Sequence, residues 1–276
     1  MASHRTTKLR AAATVCAVCA AVIAGGGPAA LAAAQPPPPA PAAPAPTPSA
    51  DPFRGLSADQ IADRAVAATQ SATSLRMTGR VSSGGQPLDV DFSVDDHDNC
   101  TGVVRIQGGA AELRRSAGIT YMKGDERFWR ASMTSQGMSE PEISATIELL
   151  KGRWLKITPG QAGSGDLSGV CDLKSLLADL GNDKAERTGL SRGPDATVNG
   201  TPVATLVKRK AGGETTTVSV SARGKPYILK TVKTGGQEAG AIVLSAYDKP
   251  VKVVIPPADE TVDLSKLDQG GGTAPA

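Results

Sequence analysis

The chain has 276 residues, of which 30 are basic and 27 acidic, for a formal charge of +3. These charges are spread along the sequence, which excludes the concentrated basic face of a nucleic-acid binder. Aromatic residues make up 3%, against 31 glycines and 20 prolines, so a core must be built from Ala, Val, Leu and Ile between many turns.

Arg5, Lys8 and Arg10 precede an uncharged apolar stretch over residues 11–24, and small residues follow around Ala30, Ala32 and Ala34. This is the pattern of a secretory signal. At about 14 residues the stretch is shorter than the roughly 20 that span a bilayer, so the expectation is cleavage near Ala32 or Ala34, with no retained anchor. Cys16 and Cys19 do not fit a lipid-attachment site, because Val15 and Val18 are branched and few apolar residues come before them. Their Cys-x-x-Cys spacing falls in the segment that the signal reading discards. The chain divides on this reading into a signal peptide (residues 1–34), a Pro/Ala-rich linker of polyproline II character (residues 35–52), one folded domain (residues 53–267) and a Gly-rich tail (residues 268–276).

Within the domain, Ser57-Ala58-Asp59-Gln60 has the form of a capping box and opens an Ala-rich helix to about residue 72. The period then changes to two. Met77, Gly79 and Val81 alternate with polar neighbours, a turn follows at residues 83–86, and Leu88, Val90, Phe92 and Val94 alternate with Asp89, Asp91, Ser93 and Asp95. This predicts a hairpin with one apolar face and one acidic, solvated face. Further strands are expected over residues 101–107, 111–116, 119–123, 154–157, 188–191, 197–198, 203–208, 215–221, 227–234, 241–247 and 252–254, as one antiparallel meander. Asn199-Gly200 is the strongest two-residue turn, and Gly124-Asp125 and Gly212-Gly213 are read similarly. Residues 141–150 and 173–180 read as two more helices. The class is α+β, with the dry face of the sheet covered by helices or curled on itself. A curled sheet with little aromatic filling leaves either a cavity or a closely packed small-residue core.

Once the signal is removed only Cys100 and Cys171 remain, and an exported compartment permits their oxidation, so they are expected to pair. Such a link over roughly 70 residues is worth about 4 kcal/mol by chain entropy. His97 lies in Asp95-Asp96-His97-Asp98-Asn99, a run that reads as a polar hairpin end rather than a calcium loop or a catalytic centre. Gly108-Gly109 and Gly212-Gly213 are turns with no helix behind them to cradle a phosphate. The basic run Lys208-Arg209-Lys210 reads as a solvated strand end. Phe128, Trp129 and Trp154 are either core anchors or residues at the mouth of a ligand cavity. No catalytic residue, metal site or cofactor is expected.

The order of features has a precedent. An early Ala-Asp-Gln-Ile-Ala helix (residues 58–62) precedes Leu75-Arg76-Met77-Thr78-Gly79, Asn99-Cys100-Thr101-Gly102 and Tyr121-Met122-Lys123-Gly124-Asp125 with Phe128-Trp129. Gly152-Arg153-Trp154-Leu155-Lys156-Ile157 completes the series. From Leu56 to Leu264 this resembles the LppX/LprG lipoproteins of actinobacteria, within the LolA-like group. The resemblance implies a strongly curved antiparallel β half-barrel with helices packed on its concave side. It also implies an apolar cavity that receives lipid acyl chains and performs no reaction.

The expected function is therefore non-enzymatic binding or carriage of a lipid or other hydrophobic small molecule in the cell envelope, by a monomer. Leu88, Val90, Phe92 and Val94 are the candidate ligand-lining residues, with Trp129 and Trp154 at the rim. A solid interior without a cavity above roughly 300 Å³, the low end for ligand pockets, would defeat that expectation. The alternative is an envelope sensor or interaction module that uses the fold to bind a protein partner through an exposed apolar patch. A secreted hydrolase would need a polar cleft with perturbed carboxylates.

Overall fold

A computed structural model of the chain describes residues 51–263, with the exception of 84, 161–168, 170, 183–186 and 237. The expected signal peptide, Cys16 and Cys19, most of the linker and the Gly-rich tail lie outside the described residues. Asp51, assigned to the linker, is already held: its carboxylate meets the Arg192 guanidinium at 2.7 Å and accepts the Phe53 N–H at 2.9 Å.

Helix α1, Ala58–Gln70, begins where the capping box places it. The Gln60 N–H donates to Ser57 Oγ at 3.2 Å, and the Ser57 N–H donates to Gln60 Oε1 at 2.9 Å. Strands β1 (Ser74–Ser83) and β2 (Gln86–Asp95) then form the expected hairpin, with Leu75 opposite Val94 and Val81 opposite Leu88. Strands β3 (Cys100–Ile106), β4 (Gly109–Ser116) and β5 (Ile119–Gly124) continue the meander. Two helices follow, α2 (Glu126–Ser135) and α3 (Glu140–Leu150), then the short strand β6 (Trp154–Ile157) and helix α4 (Leu173–Asn182). The C-terminal half supplies β7 (Ser191–Arg192), β8 (Ala196–Val198), β9 (Thr201–Arg209), β10 (Thr215–Ser221), β11 (Ile228–Thr234), β12 (Gly240–Ser245) and β13 (Thr261–Asp263).

These strands make one curved sheet in the order β13-β6-β5-β4-β3-β2-β1-β12-β11-β10-β9-β7, with β8 paired to β9. The topology differs from a single meander. Two meanders meet where β1 pairs with β12, with Met77 opposite Leu244, and β13 adds to β6 in parallel. The segment read as a strand over 252–254 joins no ladder.

Helix α2 is the largest departure from the sequence reading. Asp125 is not a hairpin turn but an N-cap, accepting the Phe128 N–H at 2.7 Å and the Ala110 N–H at 3.0 Å. The helix start therefore sits directly on β4. A Cβ at Gly109 would lie 2.1 Å from the Phe128 nitrogen, so glycine there is what allows the approach. Asp125 and Glu126 place negative charge at the end of the helix that favours it.

The helices lie on one face of the sheet, where Ile61, Ala65 and Val66 of α1, Phe128, Trp129 and Met133 of α2, Ile143 and Ile147 of α3, and Leu173 and Leu177 of α4 join one core. Cys100 and Cys171 are disulfide-bonded, with Cα atoms 5.4 Å apart, which ties the start of α4 to β3. Buried Thr69 of α1 accepts the Ile228 N–H at 3.0 Å, and the Tyr247 hydroxyl donates to the Ile228 carbonyl. Over β1 and β2 the opposite face is solvated, as the alternation of β2 predicts. Its carboxylates are paired across strands, Asp91 with Arg76 at 2.8 Å and Asp89 with Arg80 at 2.6 Å, and the Arg76 guanidinium holds the Asp91 carboxyl below its usual range.

Candidate functional site

Strand register places the concave side chains in rows that cross the sheet, because directly opposed residues share a face. One row follows Lys208, Thr216, Lys233, Gly240, Val81, Leu88 and Ile106 from β9 to β3. This row is the rim of one end of the half-barrel. The next row inward is Leu206, Val218, Thr231, Ile242, Gly79, Val90 and Val104. A third contains Leu244, Met77, Phe92, Gly102 and Leu113. The far end is shut by Leu75, Val94 and the disulfide at Cys100.

The four candidate residues of β2 therefore line up from rim to closed end. Leu88 and Val90 are half-buried, whereas Phe92 and Val94 are buried. The Phe92 ring occupies space over Gly102, where a Cβ would come within 2.3 Å of it, and so fills the closed end. The rim half of the floor is less covered. Met77, Val81, Leu88, Val90, Val104, Ile106, Val218 and Ile242 are all only half-buried. Helix α1 packs over β10 and β11 and α2 over β4, β3 and β5, so the floor of β1, β2 and β12 lies between them.

A cavity of about 200 Å³ lies to one side of this floor, beneath α1 and over β9, β10 and β11. Ala62, Ala65 and Val66 form its roof, and Leu206, Val218 and Ile228 are among its floor residues. A second, more polar hollow of about 210 Å³ adjoins it, sharing Thr231 and Lys233 and reaching Val81, Gly240 and Ile242 of β1 and β12. The first cavity alone is smaller than the roughly 300 Å³ at which ligand pockets begin. It exceeds the ~150 Å³ that accepts benzene in an apolar core, and the second hollow meets it at Thr231 and Lys233.

None of the six candidate residues lines the first cavity. Val90 and Leu88 belong to the adjoining floor. Trp129 lies on α2, buried at the other flank, in edge contact with Phe128 at 5.3 Å. Trp154 is buried on the opposite, convex face, under the Arg114 guanidinium 4.3 Å from its ring centroid and the Lys123 ammonium at 5.8 Å. Sequence reading misses the cavity residues of α1, β9, β10 and β11, although Thr216, Val218 and Val220 alternate in the sequence as clearly as β2 does.

Beside the closed end, Tyr227 and Tyr247 stack at 4.0 Å, and the Tyr227 hydroxyl donates to Asp248 at 2.5 Å. That bond, with the Thr73 N–H and Lys225, pulls the Asp248 carboxyl down to about 2. Burial pushes the Tyr247 phenol up. The polar run at residues 95–99 is a hairpin end in which Asp95 accepts the His97 and Asn99 N–H groups at 2.9 and 3.0 Å. Among the described residues no three His, Cys, Asp or Glu side chains are placed to hold a metal ion, and no helix is long and apolar enough to cross a membrane.

No family model matches the chain, and no curated protein does at a significant level. Solved structures do. The chain is similar to LprF from Mycobacterium bovis, with 15% identity and a TM-score of 0.50 over 73% of this chain and 97% of LprF. Lesser likenesses are to the lipoprotein LppX from Mycobacterium tuberculosis, with 14% identity and a TM-score of 0.42 over 71% of this chain and 97% of LppX, and to an uncharacterized conserved protein from Thermus thermophilus, with 10% identity and a TM-score of 0.32 over 75% and 98%. What the chain shares with LprF is the fold, a curved antiparallel half-barrel with helices on its concave side.

Proposed function

Starting from an LprF-like curved sheet, we propose that the chain is an exported, non-enzymatic protein that binds or carries lipid-like hydrophobic ligands on its concave side. The hydrocarbon lies in the groove between α1 and α2, with Leu88, Val90, Val104, Val218 and Ile242 beneath it. Phe92 and Val94 close the far end, and Trp129 flanks the groove. Trp154, on the convex face, has no part in it. Signal cleavage near Ala32 or Ala34, which places the domain outside the cytoplasm, completes the reading.

What carries it is the half-buried apolar floor. A folded domain normally covers such a face, and apolar surface left in a concave groove marks a binding site. Each methylene buried there is worth about 0.8 kcal/mol, so hydrocarbon alone provides affinity, and no diagnostic polar constellation is needed. Val254 and Ile255 are exposed at 70% and 48%, but two residues on an extended segment make a poor protein-docking patch beside this floor.

Organic extraction of the purified, secreted protein followed by mass spectrometry is the direct test, with co-purified acyl lipid as the expected result. In a series of 1-alkanols, affinity should rise about fourfold per added methylene, the equivalent of ~0.8 kcal/mol. A flat series, together with a lipid-free extract, would refute the proposal.

A further inference from the structure

The apolar groove ends in a polar corner. On the rim row, Lys208 and Lys233 stand on either side of Thr216, its cross-strand partners on β9 and β11. Strands lie about 4.8 Å apart, so the two lysine backbones are roughly 10 Å apart with Thr216 midway. Thr216 and Lys233 both line the cavity, and Arg187 lines it from the facing side. The Thr216 hydroxyl is buried and has no hydrogen-bond partner among the described residues. A buried hydroxyl without a partner is uncommon and calls for one.

Lys208 and Arg187 already have partners of their own, and carboxylates reach two of these cations. Glu238 reaches Lys233 at 3.4 Å, and Asp63 reaches Arg187 at 3.6 Å. The Lys233–Glu238 pair is exposed, at 40% and 79%, and exposed pairs are weak and screened by salt, whereas Asp63, 65% exposed, meets an Arg187 side chain only 19% exposed. An anion delivered into the corner by a hydrocarbon tail would be less solvated than either carboxylate. Next along the same row, Gly240 gives way to Val81, Leu88 and Ile106, so one rim changes from cationic to apolar.

Resting on the lipid-binding reading, we propose that Lys208, Thr216, Lys233 and Arg187 form a headgroup site for the single anionic group, carboxylate or phosphate, of an amphiphile whose tail lies on the apolar floor. Charge-assisted hydrogen bonds to such a group are the stronger kind.

The test compares C16 probes that differ only in the headgroup, palmitate, hexadecyl phosphate and 1-hexadecanol, with inorganic phosphate as a separate arm, by isothermal titration of the mature protein at low salt. The anionic probes should bind about tenfold more tightly than the alcohol. That ratio should shrink in 0.5 M NaCl and fall to about twofold in K208Q/K233Q, where Arg187 alone remains, while T216V lowers it partway. The charge-reversed variant K208E/K233E should instead prefer hexadecyltrimethylammonium. A ratio near one in the wild type, or one unmoved by K208Q/K233Q, overturns the headgroup site and leaves the groove standing. Inorganic phosphate bound as tightly as hexadecyl phosphate overturns it in favour of a free-anion site. Failure of every C16 probe to bind removes the groove and the headgroup site together.

Discussion

Filling the cavity under α1 should abolish most of its contribution to ligand binding. Ala62 is 7% exposed and lines the cavity, so the side chain of Ala62→Phe must enter it. At a water-sized share of ~30 Å³ per methylene, about 200 Å³ takes about six, worth roughly 5 kcal/mol at ~0.8 kcal/mol each. A phenyl ring needs about the ~150 Å³ that benzene occupies, leaving space for one or two. A ligand that slides along the open floor recovers part of the loss. The expected weakening is at least about 2 kcal/mol, roughly thirtyfold in Kd. Displacement of N-phenyl-1-naphthylamine by 1-hexadecanol measures it, and a thermal melt by circular dichroism establishes that the variant folds. A62F that melts like the wild type and binds hexadecanol within twofold of it would show that hydrocarbon does not use this cavity.

Reducing the Cys100–Cys171 bridge, or replacing it in C100S/C171S, should cost about 4 kcal/mol by chain entropy for a separation of 71 residues, read from the shift of a urea transition. Thr69→Val leaves the Ile228 N–H without its acceptor and should destabilise by about 1–3 kcal/mol, whereas Thr69→Ser, which keeps the hydroxyl, should cost less in the same assay. Asp248 binds its proton less readily folded than unfolded, so its stabilisation is complete above about pH 4 and is lost as the pH falls towards its folded value of about 2. D248N should therefore be less stable than the wild type at pH 7, with the difference closing towards pH 2, followed by denaturant titration at each pH.

The fold is legible where the information is local. Alternation over Leu88, Val90, Phe92 and Val94 sets the register and the buried face of β2, and Ser57 with Gln60 fixes the start of α1. Helix α2 stays hidden because Gly124-Asp125 has the same chemistry in a hairpin turn as in a helix cap. Only the neighbouring β4 backbone, bonded to Asp125 through Ala110, separates the two. The size of Trp154 suggests a place near the ligand, but β6 pairs with β5 so that Leu155, opposite Met122, faces the core, and its neighbour must face away. The cavity lies beyond sequence reasoning for a different reason. It is made where α1 meets β9, β10 and β11, elements distant in the chain, and nothing local in Ala62 or Val218 announces that the other is opposite.

The junction of β1 with β12 has a consequence for how the chain acquires this shape. Met77 and Leu244 come from opposite ends of the domain, so the contact order is high and loop closure must precede the reward of pairing. During synthesis the first meander can assemble with β1 as an open edge, ten residues long, until Gly240–Ser245 arrives to cover it. Unpaired edges recruit other chains, which makes this interval the aggregation-prone step in maturation and the point at which a holding chaperone would matter most.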